Sequence, residues 1–582
     1  MMRCQKRSTG GFCHMPQHVV IIGAVALGPK VGCRFKRLEP ESKVTMIDQT
    51  DLISYGGCGI PYFVSGDISS PDELQSTSFH MLRDKQFFKE AKDIDVITKK
   101  RALQIQRDKK VVVLQDLGTG NREELAYDQL VIATGSTPAV PQIQGRDLQG
   151  VYVVASLDDA IKIRNDVATG KVGNAVIIGA GAIGLEMAEA MTDLWGIETT
   201  VVEITNQILP GLVSKNLATM AQRHMEENGI NFLLSQEVLR LEGEGRVERV
   251  ITKYETLKAD MVILATGVKP NDQLAREAGL AVDRQGGILV DEHLRTSDPS
   301  IYAGGDCVLI KNLITGKPSY FPSGSLANRQ GRVIGTNLAG GQARFEGAVG
   351  TFIIKLFDIS VGSVGLSLAK AKQEGFDALN TLVVQFDRAH FYPEKDLMYL
   401  ELTIEKRSGR VLGMQGLGSK GDGLLARLSA VAPILKYSPS VADIGNLELP
   451  YSPPFSAAMD ILNALGNTAE NLLEGRNRVV DPDEFVRWWN QRGNGETFFL
   501  DCRGWGNAQP FVEKYPDHWI SIPQDELRQR ITEVPRDKKI ALICNTGVRS
   551  YEAQITLDQV GIKDTYNLQG GMAAVKKLGE EI

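Results

Sequence analysis

The chain has 582 residues, 43% of them hydrophobic and 23% charged, with a net charge of −6 at pH 7. That length calls for several domains, and the acidic balance argues against a protein that grips nucleic acid through a basic surface. No run of about 20 apolar residues is present, so no membrane-spanning helix is expected. The seven cysteines show neither C-x-x-C pairs nor metal-ligand spacing. This fits a reducing cytoplasm in which thiols do chemistry, with no structural metal.

Residues 1–17 read as an extension, and Met15 is an alternative start. Arg3, Lys6 and Arg7 precede the apolar run 19–28, an order that imitates a signal peptide. No small-residue cleavage site follows, and the run reads better as a first strand. A strand at 19–22, a glycine turn, a helix at 29–38 and a strand at 44–48 form a βαβ unit. Its turn is Gly23-Ala-Val25-Ala-Leu-Gly28, and Asp48 ends the second strand.

Next comes Ser54-Tyr-Gly-Gly-Cys58-Gly-Ile-Pro61-Tyr62, in which flanking glycines expose the sulfur and Pro61 fixes the turn. The segment Leu130-Val-Ile-Ala-Thr134-Gly135 is an apolar strand with a glycine end, repeated in Ile263-Leu-Ala-Thr266-Gly267. A second βαβ unit has a strand at 175–178, a helix at 185–195 and a strand at 199–203. It carries the clean fingerprint Gly179-Ala-Gly181-Ala-Ile-Gly184, whose glycines allow the tight turn, pyrophosphate approach and close helix packing. Glu203 ends the following strand, placed for a ribose 2′-hydroxyl, and its charge disfavours a 2′-phosphate; NADH is the expected donor. Ile301-Tyr-Ala-Gly304-Gly305-Asp306 follows. Two such units imply two nucleotides.

From 351 to 451 the strand-like pieces 351–357, 382–386 and 397–405 suggest an antiparallel sheet with packed helices, and 463–478 reads as a connector. Strands at 498–501 and 539–544 then open a smaller α/β domain. In it, Cys544-Asn-Thr-Gly-Val-Arg549-Ser is a loop from a buried strand to the helix 550–559. Loop amides, the helix N-terminus and Arg549 favour a thiolate or persulfide anion at Cys544.

These motifs resemble the pyridine nucleotide–disulfide oxidoreductase superfamily over residues 19–455, in the order FAD domain, NAD domain, FAD return and dimerisation domain. The resemblance implies FAD at Gly23, Val25, Gly28, Asp48, Thr134, Gly135, Gly305 and Asp306, and NAD at Gly179, Gly181, Gly184, Glu203 and Gly267. Ala24 and Leu27 depart from the family pattern at the first turn. The C-x-x-x-x-C of disulfide reductases is absent, and the Cys58 segment resembles a single-cysteine branch that holds coenzyme A-disulfide reductases, persulfide reductases and NADH oxidases. The implied cycle takes electrons from NADH through FAD to a Cys58–S–S–R bond. In that branch Tyr392 and Tyr451 match tyrosines that reach the redox cysteine of the other subunit of a homodimer, and can protonate its leaving thiolate. Lys30, Arg34, Arg37, Ser54, Asn328 and Arg332 match coenzyme A-binding positions.

Phe498-Phe-Leu-Asp501-Cys-Arg503, the six-residue Cys544–Arg549 loop and Leu568-Gln-Gly570-Gly571-Met572 resemble the landmarks of rhodanese domains, with Cys502 as a core residue. The expected architecture is α/β: an FAD domain (18–150 and 255–335), an NAD domain (151–254), an α+β dimerisation domain (336–460), a linker (461–477) and a rhodanese domain (478–582). The expected activity is NADH-driven reduction of persulfide, polysulfide or coenzyme A disulfide. The alternatives are an NADH oxidase cycling Cys58 through sulfenic acid and a flavin-based redox sensor.

Overall fold

The computed structural model describes residues 15–580 and residue 582, so most of the 1–17 extension, with Cys4 and Cys13, lies outside the described residues. The apolar run starting at residue 19 is the central strand of the first sheet, and Val19, Val20 and Ile21 are fully buried. β-Branched residues suit a parallel strand covered on both faces. This strand, His18–Ile22, pairs in parallel with Lys43–Ile47 and with Gln129–Ile132. Asp95–Ile97 and Ile301–Ala303 form the two edges, so the chain returns to the first sheet only after the second domain is built.

The second sheet is also parallel, in the order Ile230–Leu233, Glu198–Val202, Asn174–Ile178, Met261–Leu264, Val151–Val153. Met261–Leu264 therefore belongs with the second unit, and the expected boundary at 254 is too early. The strand is a non-local neighbour of Asn174–Ile178, a pairing no local signal marks. Return to the first domain runs through an antiparallel pair, Val268–Pro270 against Ser136–Pro138.

The third sheet is antiparallel, in the order Thr351–Leu356, Ile359–Gly365, Val411–Ser419, Leu397–Glu405, Ala378–Phe386. The expected linker is no linker: Ile461–Leu473 is a helix that buries Ile461, Leu462, Leu465 and Ala469 in this domain's core. A Cβ on Gly466 would lie 2.2 Å from the Gly445 amide nitrogen, so the glycine permits close packing onto the helix Val441–Gly445. Asn463 Nδ2 donates to the Gly445 and Leu447 carbonyls at that helix's C-terminus, at 3.1 and 2.9 Å. Residue types that suggested a loop here serve a helix–helix contact.

The C-terminal domain is a parallel sheet in the order Val479–Val480, Thr565–Leu568, Lys539–Ile543, Thr497–Asp501, Trp519–Ser521. Beneath it Asp501 and Arg503 form a buried bidentate pair, with Trp519 Nε1 donating to Asp501 Oδ2 at 2.9 Å. Cys502 is buried among Leu500, Ile540 and Leu542, as a core residue. Among the described residues no helix is long and apolar enough to cross a membrane.

Candidate functional site

The two glycine turns are built alike. Gly23 and Gly179 adopt φ of +111° and +107°, a region open to glycine. A Cβ on Gly28 or on Gly184 would lie 2.0 Å from the carbonyl oxygen of Gly23 or Gly179, so each helix sits directly on its turn. The helices Leu27–Leu38 and Ala182–Asp193 have neither a side-chain cap nor an acidic residue in the first turn. Their free N–H groups and dipoles favour an anion at both places. Around Gly181 a Cβ would meet nothing within 4 Å, which is the room a pyrophosphate needs. The half-buried Val25 stands at the corresponding position of the first turn.

Each turn is braced by the acid that ends the next strand. Asp48 accepts from the Ala24 amide at 2.8 Å and from the Thr50 amide at 2.9 Å. Glu203 does the same with Ala180 and Thr205, both at 2.8 Å. Behind the turns lie the two Ala-Thr-Gly segments: a Cβ on Gly23 would meet the Ala133 oxygen, and one on Gly179 the Ala265 oxygen. Gly135 and Gly267 have φ of +66° and +96°. Thr134 Oγ1 donates to the Asn271 carbonyl at 2.7 Å, and Asn271 Nδ2 returns a bond to the Thr134 carbonyl at 2.8 Å. The fit for a dinucleotide at each turn is good in backbone shape and in charge.

Asp306 is reached by the Ser323 amide at 3.1 Å and by Ser136 Oγ at 3.4 Å, while burial holds its carboxyl above the usual range. The Gly305 amide donates to Gln330 Oε1 at 2.6 Å. Ser323 and Gln330, on and just before the helix Gly324–Leu338, thereby tie that helix to the first nucleotide unit.

Cys58 lies exposed in the short turn Gly57–Gly59, just ahead of the helix Ile60–Ser65. A Cβ on Gly324 would be 3.8 Å from its sulfur, placing the thiol at the uncapped N-terminus of the helix Gly324–Leu338. Partial desolvation, then Glu186, then Asp306 raise the thiol pKa. Glu186 itself is pushed up to about 7, chiefly by burial and then by Glu189, with the Tyr62 hydroxyl bonded to it opposing the shift. Cys58 therefore stands between the two nucleotide units, acted on by one carboxyl from each. Glu186 and Tyr62 were not among the residues read from sequence. Their signals are present, since Glu186 lies two residues past the last fingerprint glycine and Tyr62 one helical turn past Cys58.

The expected cationic cluster forms in part. Lys30 and Arg34 pack against Gly331 and Gly335, whose own Cβ atoms would fall 2.8 Å from theirs, and Arg34 Nε donates to Thr336 Oγ1 at 3.0 Å. Burial, Arg332 and Arg37 lower the Arg34 pKa, which shows the like charges to be close. Lys36 pairs with Asp93 at 2.6 Å, whereas Lys30, Arg34, Arg37 and Arg332 have no carboxylate partner among the described residues. Asn328, on the same helix as Arg332, donates to the Gly324 carbonyl at 2.8 Å. Ser54 is not on this surface: it is buried at φ +51°, its amide bonded to the Ala24 carbonyl beneath the first turn.

Tyr392 and Tyr451 lie in two loops that meet where the Ala389 amide donates to the Pro453 carbonyl at 3.3 Å. Tyr451 is exposed, as are Phe391, Phe455 and Met459. Within the chain it is Glu186 and Asp306 that act on Cys58, and not these tyrosines.

The Cys544 sulfur accepts from the Gly547 amide at 2.9 Å and is itself buried, at the uncapped N-terminus of the helix Val548–Gln559. Arg549 is in the first turn of that helix and exposed. Met572 and Ala573 donate their amides to the Cys544 and Asn545 carbonyls, both at 2.9 Å. The loop thus presents amide donors to one thiol, an arrangement suited to holding a sulfane sulfur as an anion.

The chain belongs to the pyridine nucleotide-disulphide oxidoreductase family, whose model matches residues 17–331. That family's dimerisation domain matches residues 351–462, and a rhodanese-like domain matches 485–578. The chain is 34% identical over 452 residues to the NAD(P)H coenzyme A polysulfide/persulfide reductase of Pyrococcus horikoshii, covering 78% of this chain and 98% of that protein. It superposes on the NAD-dependent persulfide reductase of A. fulgidus with a TM-score of 0.90 at 37% identity, over 96% of this chain and 99% of that one. Against the Bacillus anthracis CoADR-RHD in its reduced form the TM-score is 0.89 at 30% identity, over 97% and 98% of the two chains.

Proposed function

We propose that this oxidoreductase uses NADH and FAD to reduce persulfides, polysulfides or coenzyme A disulfide at Cys58, and that its rhodanese domain carries sulfane sulfur on Cys544. One observation carries the reading: a lone thiol, Cys58, lies where both nucleotide units meet, with Asp306 of one and Glu186 of the other acting on it. With no second cysteine to close an internal disulfide, the thiol must bond to the substrate's own sulfur. When bound, the flavin and nicotinamide supply an electron pair. Cys58 takes the substrate as Cys58–S–S–R, and two electrons with one proton return it to thiolate and release RSH.

The chain's own residues do the rest. The N-terminus of the helix Gly324–Leu338 faces the sulfur and favours its anion. The unpaired cations Lys30, Arg34, Arg37 and Arg332 support a coenzyme A carrier, whose phosphates need such charges. The exposed face with Phe391, Tyr451, Phe455 and Met459 supports a homodimer in which Tyr392 and Tyr451 serve the other subunit's Cys58. All five cysteines among the described residues are free, which supports a reducing compartment such as the cytoplasm.

The test is anaerobic NADH oxidation with coenzyme A persulfide, polysulfide and coenzyme A disulfide, with oxygen as a separate acceptor. NADH-dependent sulfide release is expected from the persulfide or polysulfide, and Cys58→Ser is expected to abolish it while dye reduction by NADH persists. Full sulfide release by Cys58→Ser would end the single-cysteine mechanism. Oxygen uptake that matches NADH use, with sulfur substrates inert, would select an oxidase instead. Cys544→Ala should lose sulfur transfer from thiosulfate and keep dye reduction.

A further inference from the structure

The rhodanese domain is not simply tethered to the reductase. Ala378–Phe386 is an edge strand of the antiparallel sheet, so alternate backbone groups along it lack a strand partner. One of them is taken up by the rhodanese domain: the Leu382 amide donates to Gln569 Oε1 at 2.8 Å, and Thr381 Oγ1 donates to the same atom at 3.2 Å. The other end of that side chain, Nε2, donates to Asp481 Oδ1 at 2.7 Å. Gln569, Thr381 and Leu382 are all buried.

The residues just after Gln569 join this contact to the sulfur-carrying loop. Gly570 (φ +67°) faces the reductase: a Cβ there would lie 2.9 Å from Val384 Cγ2 and 3.0 Å from Leu382 Cδ2. Gly571 (φ +59°) faces the other way, and a Cβ there would lie 2.5 Å from the Cys544 carbonyl oxygen and from Asn545. The next two amides hold the Cys544 and Asn545 carbonyls, and the Tyr399 hydroxyl donates to the Ala573 carbonyl at 3.4 Å. Five residues, 569–573, are thus clamped between the reductase sheet on one side and the Cys544 loop on the other. Neither glycine leaves room for the segment to shift without moving one of them.

We propose that Gln569 is a positioning residue: by capping the edge strand at Leu382 it docks the rhodanese domain, and the docked segment 569–573 holds the Cys544 loop in its sulfur-accepting shape. The inference rests on Cys544 being the sulfur carrier. Sulfur transfer by the rhodanese domain then depends on its seat on the reductase, and the backbone loop amides around the Cys544 sulfur are set from outside the domain.

Two variants in the full chain, with its flavin, test this. Gln569→Leu removes the cap and keeps the volume; Val384→Asp disturbs the seat from the reductase side and leaves every rhodanese residue native. Each is assayed for thiosulfate sulfurtransfer, for NADH-dependent dye reduction, and by hydrogen exchange at Leu382 and across 544–549. Losing this buried hydrogen-bonded contact is expected to lower the sulfurtransfer kcat about tenfold, to speed exchange at Leu382 and in the Cys544 loop, and to leave dye reduction unchanged. Faster exchange at Leu382 with an unchanged sulfurtransfer kcat would overturn the coupling, and unchanged exchange in both variants would overturn the docking role. Wild-type protein with no sulfurtransfer at all would instead show that Cys544 is not the carrier.

Discussion

A methyl group on Gly184 tests the second nucleotide site most directly. The added Cβ would sit 2.0 Å from the Gly179 carbonyl oxygen, where real contacts do not fall below 3.0 Å. The helix Ala182–Asp193 must therefore withdraw from its turn by about 1 Å, since a close-packed interior cannot absorb the overlap. Its N-terminal amides would then stand about 3.9 Å from an anion that they now reach at about 2.9 Å, beyond hydrogen-bonding range. Each charge-assisted bond lost costs about 1.5–3 kcal/mol, so the KM for NADH should rise roughly 10- to 100-fold. The assay is steady-state dye reduction against NADH concentration, with the flavin-to-protein ratio read from visible absorbance. Gly184→Ala should keep its flavin and lose NADH affinity, whereas Gly28→Ala, with the same 2.0 Å overlap at the first turn, should lose flavin. A Gly184→Ala protein that melts like wild type and binds NADH with unchanged KM would refute the assignment of this turn to the pyridine nucleotide.

Three further outcomes are expected. Glu203→Gln removes the charge that opposes a 2′-phosphate, and kcat/KM for NADPH should rise about tenfold relative to NADH. Glu401, buried and bonded by Asn380 Nδ2 at 3.0 Å, has its carboxyl pushed by burial from 4.5 up to about 7. An acid raised by folding contributes its full stability below pH 4.5 and loses it as pH rises through about 7. The wild-type Tm should accordingly fall across that window, and Glu401→Gln should flatten the fall, as followed by thermal melts at stepped pH. Arg37→Ala with Arg332→Ala should raise the KM for coenzyme A disulfide about tenfold and leave that for polysulfide, which has no phosphate, unchanged.

The nucleotide units were legible because their chemistry is local. A glycine turn, the helix it opens and the acid ending the next strand lie within about 25 residues, so Gly179, Gly184 and Glu203 could be read together. The Cys544 loop was legible for the same reason, as was the short Cys58 turn. The segment 461–477 was misread because Asn463, Gly466 and Asn467 are loop residues by local preference, and only their contacts with the helix Val441–Gly445 explain them. Ser54 was misplaced because sequence adjacency to Cys58 says nothing of the left-handed backbone that buries it.

By itself the sequence determined which residues can do chemistry here: two anion-binding turns, one exposed thiol without a partner, and one thiol in an amide-lined loop. Only the tertiary structure decided what surrounds them. Glu186 and Asp306 converge on Cys58 from separate domains, Met261–Leu264 joins the second sheet, and Gln569 closes an edge strand nearly two hundred residues away, at Leu382. Glycine turns and caps are specified by φ and by neighbours a few residues off. Pairings between distant strands and contacts between domains are fixed by burial and by the need to satisfy each buried polar group, which no short window of sequence records.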